Sequence, residues 1–233
     1  MSYNKYFKLR NIQNDFYHNY KVPQYILKLI DEIKPKKILD YGCGTGQLLK
    51  ELKKLNHDVV GMDSSDEAIT IAKEGGLEVI KIYNLDVDKI DHKNKYDLII
   101  VSHVLEHQKK EDLYQFINNL KYMLNDKKYL LCMVPNAQAI TGAYWRYEDF
   151  THEQLFTTGS LYYVLLDNGF DEIKFLDIYA TSNIRFPLNF IRFLSIKLYG
   201  GIKNIILKLT GNSYHKSSQN IFTYEIKCIA KKK

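Results

Sequence analysis

Residues 38–49 read Ile-Leu-Asp-Tyr-Gly-Cys-Gly-Thr-Gly-Gln-Leu-Leu, and no other stretch restricts the fold as tightly. An apolar run ends at Asp40. Three glycines follow at alternate positions, Gly42, Gly44 and Gly46, and then apolar residues at helical spacing. That order predicts a strand, a tight turn and a helix start. Glycines at the turn accept φ > 0 and let the backbone approach a ligand closely. The free N–H groups of a helix start favour negative ligand groups. The dinucleotide fingerprint Gly-x-Gly-x-x-Gly needs glycine at position 47, where Gln47 stands. A carboxylate just before the glycines suits a cationic amino-acid end better than a pyrophosphate. The plain alternative is a glycine-rich turn in an unrelated α/β fold.

The surrounding pattern is strand–helix alternation. A helix is expected over 23–33, ended by Pro35. Strands are expected near 37–41, 58–63, 77–82, 96–102 and 128–134, and helices near 45–55, 65–74 and 111–124. The strands are rich in Val, Ile and Leu without alternation, as in a parallel sheet buried on both faces. Right-handed crossovers then give an open, doubly wound sheet. After Pro135 the pattern changes. Residues 136–156 read as a loop, a helix near 157–168 ends at Gly169, and strands near 170–180 and 219–231 are placed to pair antiparallel. The 233 residues fit a single domain, with residues 1–35 as an N-terminal lid and helix and 183–217 as an insertion between the last two strands.

Charge and cysteine usage narrow the class. Net charge +6 is weaker than a dedicated nucleic-acid binder carries, so no nucleic-acid partner is expected. Cys43, Cys132 and Cys228 are odd in number and lack metal or disulfide spacing, as in a reducing compartment. With a polar N-terminus and no apolar run of the ~18 residues a spanning helix needs, a cytoplasmic location is expected.

The sequence Asp40-x-Gly42-x-Gly44-x-Gly46 resembles motif I of the class I S-adenosylmethionine (SAM) methyltransferases. The resemblance continues in order and spacing to residue 107. It implies a Rossmann-like sheet of seven strands, mostly parallel with an antiparallel last strand, helices on both faces and SAM as cofactor. Ligands of such sheets sit at the carboxyl ends of the strands. Asp63 closes Val59-Val60-Gly61-Met62-Asp63 about twenty residues past the glycines, where a carboxylate binds ribose hydroxyls; the alternative is a helix N-cap. In the family, Asp86 would accept from the adenine amino group, with Leu85 packing on the ring. Ser102-His103-Val104-Leu105-Glu106-His107 resembles the segment that lines the methionine end of SAM.

Two histidine groups are candidates for acceptor chemistry. His103-x-x-Glu106-His107 also fits the His-x-x-Glu-His of inverted zinc peptidases. That pattern belongs inside a helix, whereas here it directly follows a buried strand, so no metal is expected. His107 or His103 instead lies near the acceptor, as a base or as a purely structural cap. The second group is Trp145-Arg146-Tyr147-Glu148-Asp149-Phe150-Thr151-His152-Glu153. Its Asp-Phe-Thr-His-Glu stretch resembles methyltransferases associated with bacterial surface-polysaccharide and sugar modification. His152 is then the first choice of general base, with Glu153 or Glu148 as orienting carboxylate, Arg146 on an anionic substrate group, and Trp145 and Tyr147 stacking on a sugar or walling the pocket. A loop that merely packs on the sheet would use the same aromatics.

The insertion 183–217 is apolar and basic. Ile202, Ile205, Ile206 and Leu209 form a helical stripe, Gly200-Gly201 reads as a break between two helices, and no Asp or Glu occurs from Ile178 to Tyr224. Three roles stand open: peripheral contact with an anionic membrane, a packed hairpin or homodimer interface, and a basic face for a phosphorylated substrate. The resulting expectation is O-methyl transfer to a small or carbohydrate-linked acceptor in surface-glycan biosynthesis. The alternatives are a lipid-linked, quinone-type acceptor at the membrane surface and a non-enzymatic SAM-binding protein. Ser102-His103-Val104-Leu105 stands where an amino-methylating enzyme carries Asn-Pro-Pro-Tyr, which disfavours RNA and protein acceptors.

Overall fold

The computed structural model describes residues 20–82, 93–212 and 220–233. Residues 1–19 of the expected N-terminal lid, Leu85 and Asp86 lie outside the described residues. In chain order the elements are α1 (Gln24–Ile33), β1 (Ile38–Tyr41), α2 (Gln47–Lys54), β2 (Val59–Asp63), α3 (Asp66–Glu74), β3 (Val79–Lys81) and β4 (Tyr96–Ser102). A 3₁₀ turn (Leu105–His107), α4 (Lys110–Met123), β5 (Leu124–Pro135), α5 (Gly142–Glu148), α6 (Thr158–Asp167), β6 (Phe170–Phe175), α7 (Leu188–Leu209) and β7 (Glu225–Lys232) follow.

The seven strands run in the order β3-β2-β1-β4-β5-β7-β6. All neighbours from β3 to β5 pair in parallel, and β7 lies antiparallel to both β5 and β6. The chain order reverses between β1 and β4, which makes their carboxyl ends the ligand crevice. The lack of alternation in the strands has its physical cause here. Leu39, Ile99 and Val101 enter one core with Phe116 and Leu161, while Ile38, Leu98 and Ile100 enter the other with Ile26 and Leu52. Both faces of the sheet exclude water, so both sets of alternating side chains must be apolar.

Local signals set several boundaries. Ser65 caps α3 by accepting from the Ala68 N–H at 3.3 Å. Thr157 and Ser160 form a reciprocal capping box at the start of α6, and Gly169, at φ 81°, follows its last turn.

Three expectations are corrected. The segment 136–156 contains a helix, α5, whose Gly142 lies so close beneath the Ala137 carbonyl that a Cβ would fall 2.7 Å from its oxygen. Strand β5 starts directly after α4, earlier than residue 128. The insertion holds one continuous 22-residue helix, not two. Gly200 does not break it. A Cβ there would lie 2.7 Å from the Phe222 ring, so the glycine exists to let the helix approach the body of the protein.

Candidate active site

The glycine turn sits at the β1 end of the crevice. Gly42, Gly44 and Gly46 have φ of 77°, 53° and 85°, which only glycine adopts without strain. At Gly42 a Cβ would also meet Val104 Cγ2 at 2.3 Å. The N–H groups of Gly42 and Cys43 donate to the Met62 carbonyl at 2.7 and 3.1 Å, and that of Gly44 donates to Asp63 Oδ2 at 2.7 Å. Three amides of the turn are therefore already used to tie β1 to β2.

Two buried carboxylates flank this turn. Burial, and then repulsion from Asp63, pushes the Asp40 carboxyl from 3.8 up to about 7. Asp63 Oδ1 accepts from the Ser65 N–H at 2.8 Å, so Asp63 braces both the turn and the start of α3, while Ser65 itself is the N-cap. A buried carboxyl raised by burial and by its acidic neighbour, with no ion pair to a cation among the described residues, beside a second buried carboxylate, fits a ligand with an ammonium end and vicinal hydroxyls. The glycine turn and the two carboxylates thus fit SAM. Ser102, at the end of β4, borders the same crevice, and the following His103 N–H continues the sheet by donating to the Met133 carbonyl at 2.9 Å.

The histidines divide sharply by environment. His103, in a left-handed backbone at φ 54°, is clamped between Glu106 Oε1 at 3.1 Å and Glu225 Oε1 at 2.8 Å. Burial pulls its pKa down, but the hydrogen bonds to the two carboxylates outweigh it and raise the value to about 10. At neutral pH His103 is an imidazolium and cannot act as a base, which removes one candidate. Burial holds His107 below its ordinary value, and so neutral.

His152 lies 7% exposed, its ring 4.7 Å from that of His107. Its Nδ1 meets the Trp145 carbonyl at 2.6 Å. A carbonyl only accepts, so Nδ1 carries a proton, and in the neutral ring Nε2 holds the lone pair. Nε2 lies 4.0 Å from Glu106 Oε1, too far for a hydrogen bond and close enough for charge compensation. The carboxylate beside His152 is therefore Glu106, fully buried, whereas Glu153 and Glu148 are exposed. The second oxygen of Glu106, Oε2, has no hydrogen-bond partner.

The loop around His152 is locally braced. Asp149 Oδ1 accepts from the Thr151 N–H and hydroxyl at 3.0 and 2.6 Å, and the Thr151 hydroxyl meets His107 Nδ1 at 3.0 Å. Arg146 donates to the His152 carbonyl and lies 5.8 Å from the Tyr147 ring centroid, so it holds the loop that carries His152. Trp145 is half-buried against Tyr144, and Tyr147 is exposed.

A chain of charges, buried except at His103, supports the site and has no signature in the local sequence. From Glu106 and His103 it passes to Glu225, to Lys227 Nζ 3.9 Å from Glu225 Oε2, and to Asp177 Oδ2 2.7 Å from Lys227. Asn136, fully buried, fixes the β5 end by donating to the carbonyls of Ile221 and Thr223 at 2.9 and 2.8 Å. Glu106, His107 and His152 also bring one ligand atom each within 4.8 Å of the others, a carboxylate and two imidazoles in an arrangement suited to a divalent cation.

Residues 15–174 match the family model described as a methyltransferase domain. An 88-residue segment is 32% identical to the ubiquinone biosynthesis O-methyltransferase of Shewanella pealeana, covering 36% of this chain and 37% of that protein. A 75-residue segment is 43% identical to the ribosomal protein L11 methyltransferase of Lactobacillus johnsonii, covering 30% and 24%. The chain thus matches well under half the length of these curated relatives. Among solved structures, a SAM-dependent methyltransferase from Archaeoglobus fulgidus superposes with a TM-score of 0.66 at 20% identity, covering 99% of this chain and 100% of that one. The plantazolicin methyltransferase BamL, solved with S-adenosylhomocysteine, gives 0.61 at 15% identity over 98% and 93%. With the family match spanning most of the chain, and the strand order and glycine turn in agreement, the chain belongs to the methyltransferase-domain family and has the class I, SAM-dependent fold.

Proposed function

We propose that this chain transfers the methyl group of SAM to a hydroxyl oxygen of a small or carbohydrate-linked acceptor, in surface-glycan biosynthesis. The observation that carries the reading is His152: a buried imidazole with its Nδ1 proton fixed on a carbonyl, its Nε2 lone pair kept, and Glu106 at 4.0 Å to compensate a gained charge. When bound, SAM supplies a methyl group already activated by its sulfonium. Asp40 holds the cationic amino-acid end, Asp63 the ribose hydroxyls, and Ser102 with the adjoining backbone the methionine end. Leu85 and Asp86 are assigned to the adenine.

The remaining requirement is to align an acceptor and take its proton. His152 takes the proton at Nε2, Glu106 stabilises the imidazolium that results, and neutral His107 keeps a second positive charge away. Trp145 and Tyr147 line the acceptor side. Arg146 positions the loop through the His152 carbonyl, leaving its other donors for an anionic acceptor group. The partial match to O-methyltransferases supports oxygen as the atom methylated.

The test is transfer of labelled methyl from SAM, by the purified protein, into extracts of cells lacking this gene, separated into glycans and sugar nucleotides, lipids, protein and RNA. Label in the glycan fraction is expected. Label confined to lipids would replace the glycan by a lipid-linked acceptor, a reading the exposed apolar face of α7 favours. SAM binding without transfer to any fraction would make the protein a non-enzymatic SAM binder and refute the proposal.

A further inference from the structure

Helix α7 is out of place on a water-soluble surface. It is 22 residues long, and Gly200 is its only buried residue. On a helix of 3.6 residues per turn, Ile191, Leu194, Leu198, Ile202, Ile205 and Leu209 fall within a sector of about 80°. All six are exposed, from 47% at Leu194 to 82% at Leu209. The opposite side carries the half-buried Phe193, Ile196, Asn204 and Leu207 around Gly200, and this side packs against Phe222. The apolar stripe therefore faces directly away from the protein.

The charges are arranged around that stripe. Arg192 and Lys203 border it on one side, Lys197 and Lys208 on the other. Arg192 and Lys203 also anchor the helix, donating to the carbonyls of Ala180 and Gln138, both at 3.0 Å. No acidic residue occurs anywhere from Ile178 to Tyr224. An apolar sector with cations along both borders and no anions is complementary to the boundary between acyl chains and anionic headgroups. Among the described residues no helix is long and apolar enough to cross a membrane, so α7 would lie on the surface.

A second copy of the chain is a poorer occupant. Two such faces would bring cations together with no acid to pair them. The stripe repeats over 18 residues in five turns, from Ile191 to Leu209, which is the period of a straight helix against a flat surface. A supercoiled pair prefers a period of 3.5.

We propose that α7 docks the protein on the surface of an anionic lipid bilayer, inserting the stripe from Ile191 to Leu209 between headgroups. This inference does not depend on the methyl-transfer reading. The test is co-sedimentation of the full chain with vesicles of phosphatidylglycerol and phosphatidylcholine in equal parts, against vesicles of phosphatidylcholine alone. Binding to the anionic vesicles is expected, with at least a tenfold preference over the neutral ones and loss at molar salt. Leu198→Asp should abolish it. Lys197→Glu with Lys208→Glu should weaken it by about fivefold or more for each basic residue removed. Both variants should keep wild-type SAM affinity, since neither touches the crevice, and that control shows they are folded. Absence of binding at low salt, or equal binding by wild type and Leu198→Asp, would overturn the proposal. So would a dimer in solution that Leu198→Asp converts to a monomer, which would assign the face to a second copy.

Discussion

Asp40→Asn separates the stability of this protein from its affinity for SAM. Asp40 is 4% exposed, and burial together with repulsion from Asp63 moves its carboxyl from 3.8 to about 7. The folded state therefore holds a proton that the unfolded chain releases near the ordinary value. At about 1.4 kcal/mol per tenfold change in proton affinity, the gap corresponds to about 4 kcal/mol as an upper bound, and to about 2 kcal/mol if relaxation around the pair halves it. The cost is absent below about pH 4, grows as pH rises toward 7, and is complete above it. Asparagine keeps the shape without the charge. At about pH 8 the variant should melt roughly 4–16 °C above wild type, and its advantage should shrink to about a third by about pH 5. Its SAM affinity should fall about 10- to 150-fold, the range of one charge-assisted contact. Scanning calorimetry across that pH range and titration calorimetry with SAM read the two effects separately. A variant that melts below wild type at about pH 8, or whose advantage does not grow with pH, refutes the burial argument. Unchanged SAM affinity refutes the assignment of Asp40 to the cationic end.

Asp63→Ala should abolish SAM binding measured by titration calorimetry, and lose about 1–3 kcal/mol of stability through the unpaired N–H groups of Gly44 and Ser65. His152→Ala should cut kcat by about 10²–10⁴ with SAM affinity unchanged, and full turnover would exclude it as the base. Chelation by EDTA should leave wild-type turnover intact; loss restored by a divalent cation would reassign Glu106, His107 and His152 to a metal site. His103→Asn keeps a residue that tolerates the left-handed backbone. Because His103 is raised to about 10 in the folded state, wild type should exceed this variant in stability most below about pH 6.5, and the difference should close as pH rises through 10. A pH-independent difference would show that His103 is not an imidazolium.

The cradle was legible because its causes are local. Three glycines in left-handed conformation, an acid closing β1 and an acid closing β2 lie within one strand–turn–helix–strand stretch. The same holds for the buried strands. The support of the histidines was not legible. Glu106 and His103 come from the end of β4, His152 from the loop after α5, and Glu225 from the start of β7. The insertion misled through its glycines, since Gly200-Gly201 looks like a break until Phe222 is placed against Gly200.

The sequence by itself determined the strand–helix order, the glycine turn with Asp40 and Asp63, and the apolar, acid-free character of residues 183–217, because steric preference and periodicity act over a few neighbouring residues. Only the tertiary structure decided that β7 enters between β5 and β6, that His103 is held as a cation while His107 is kept neutral, that Glu106 rather than Glu153 stands beside His152, and that the stripe of α7 faces outward. The strand order and the outward face depend on packing between elements far apart in the chain; the histidine states depend on burial and on charges brought within a few ångströms, because desolvation and Coulomb energy are set by that final proximity.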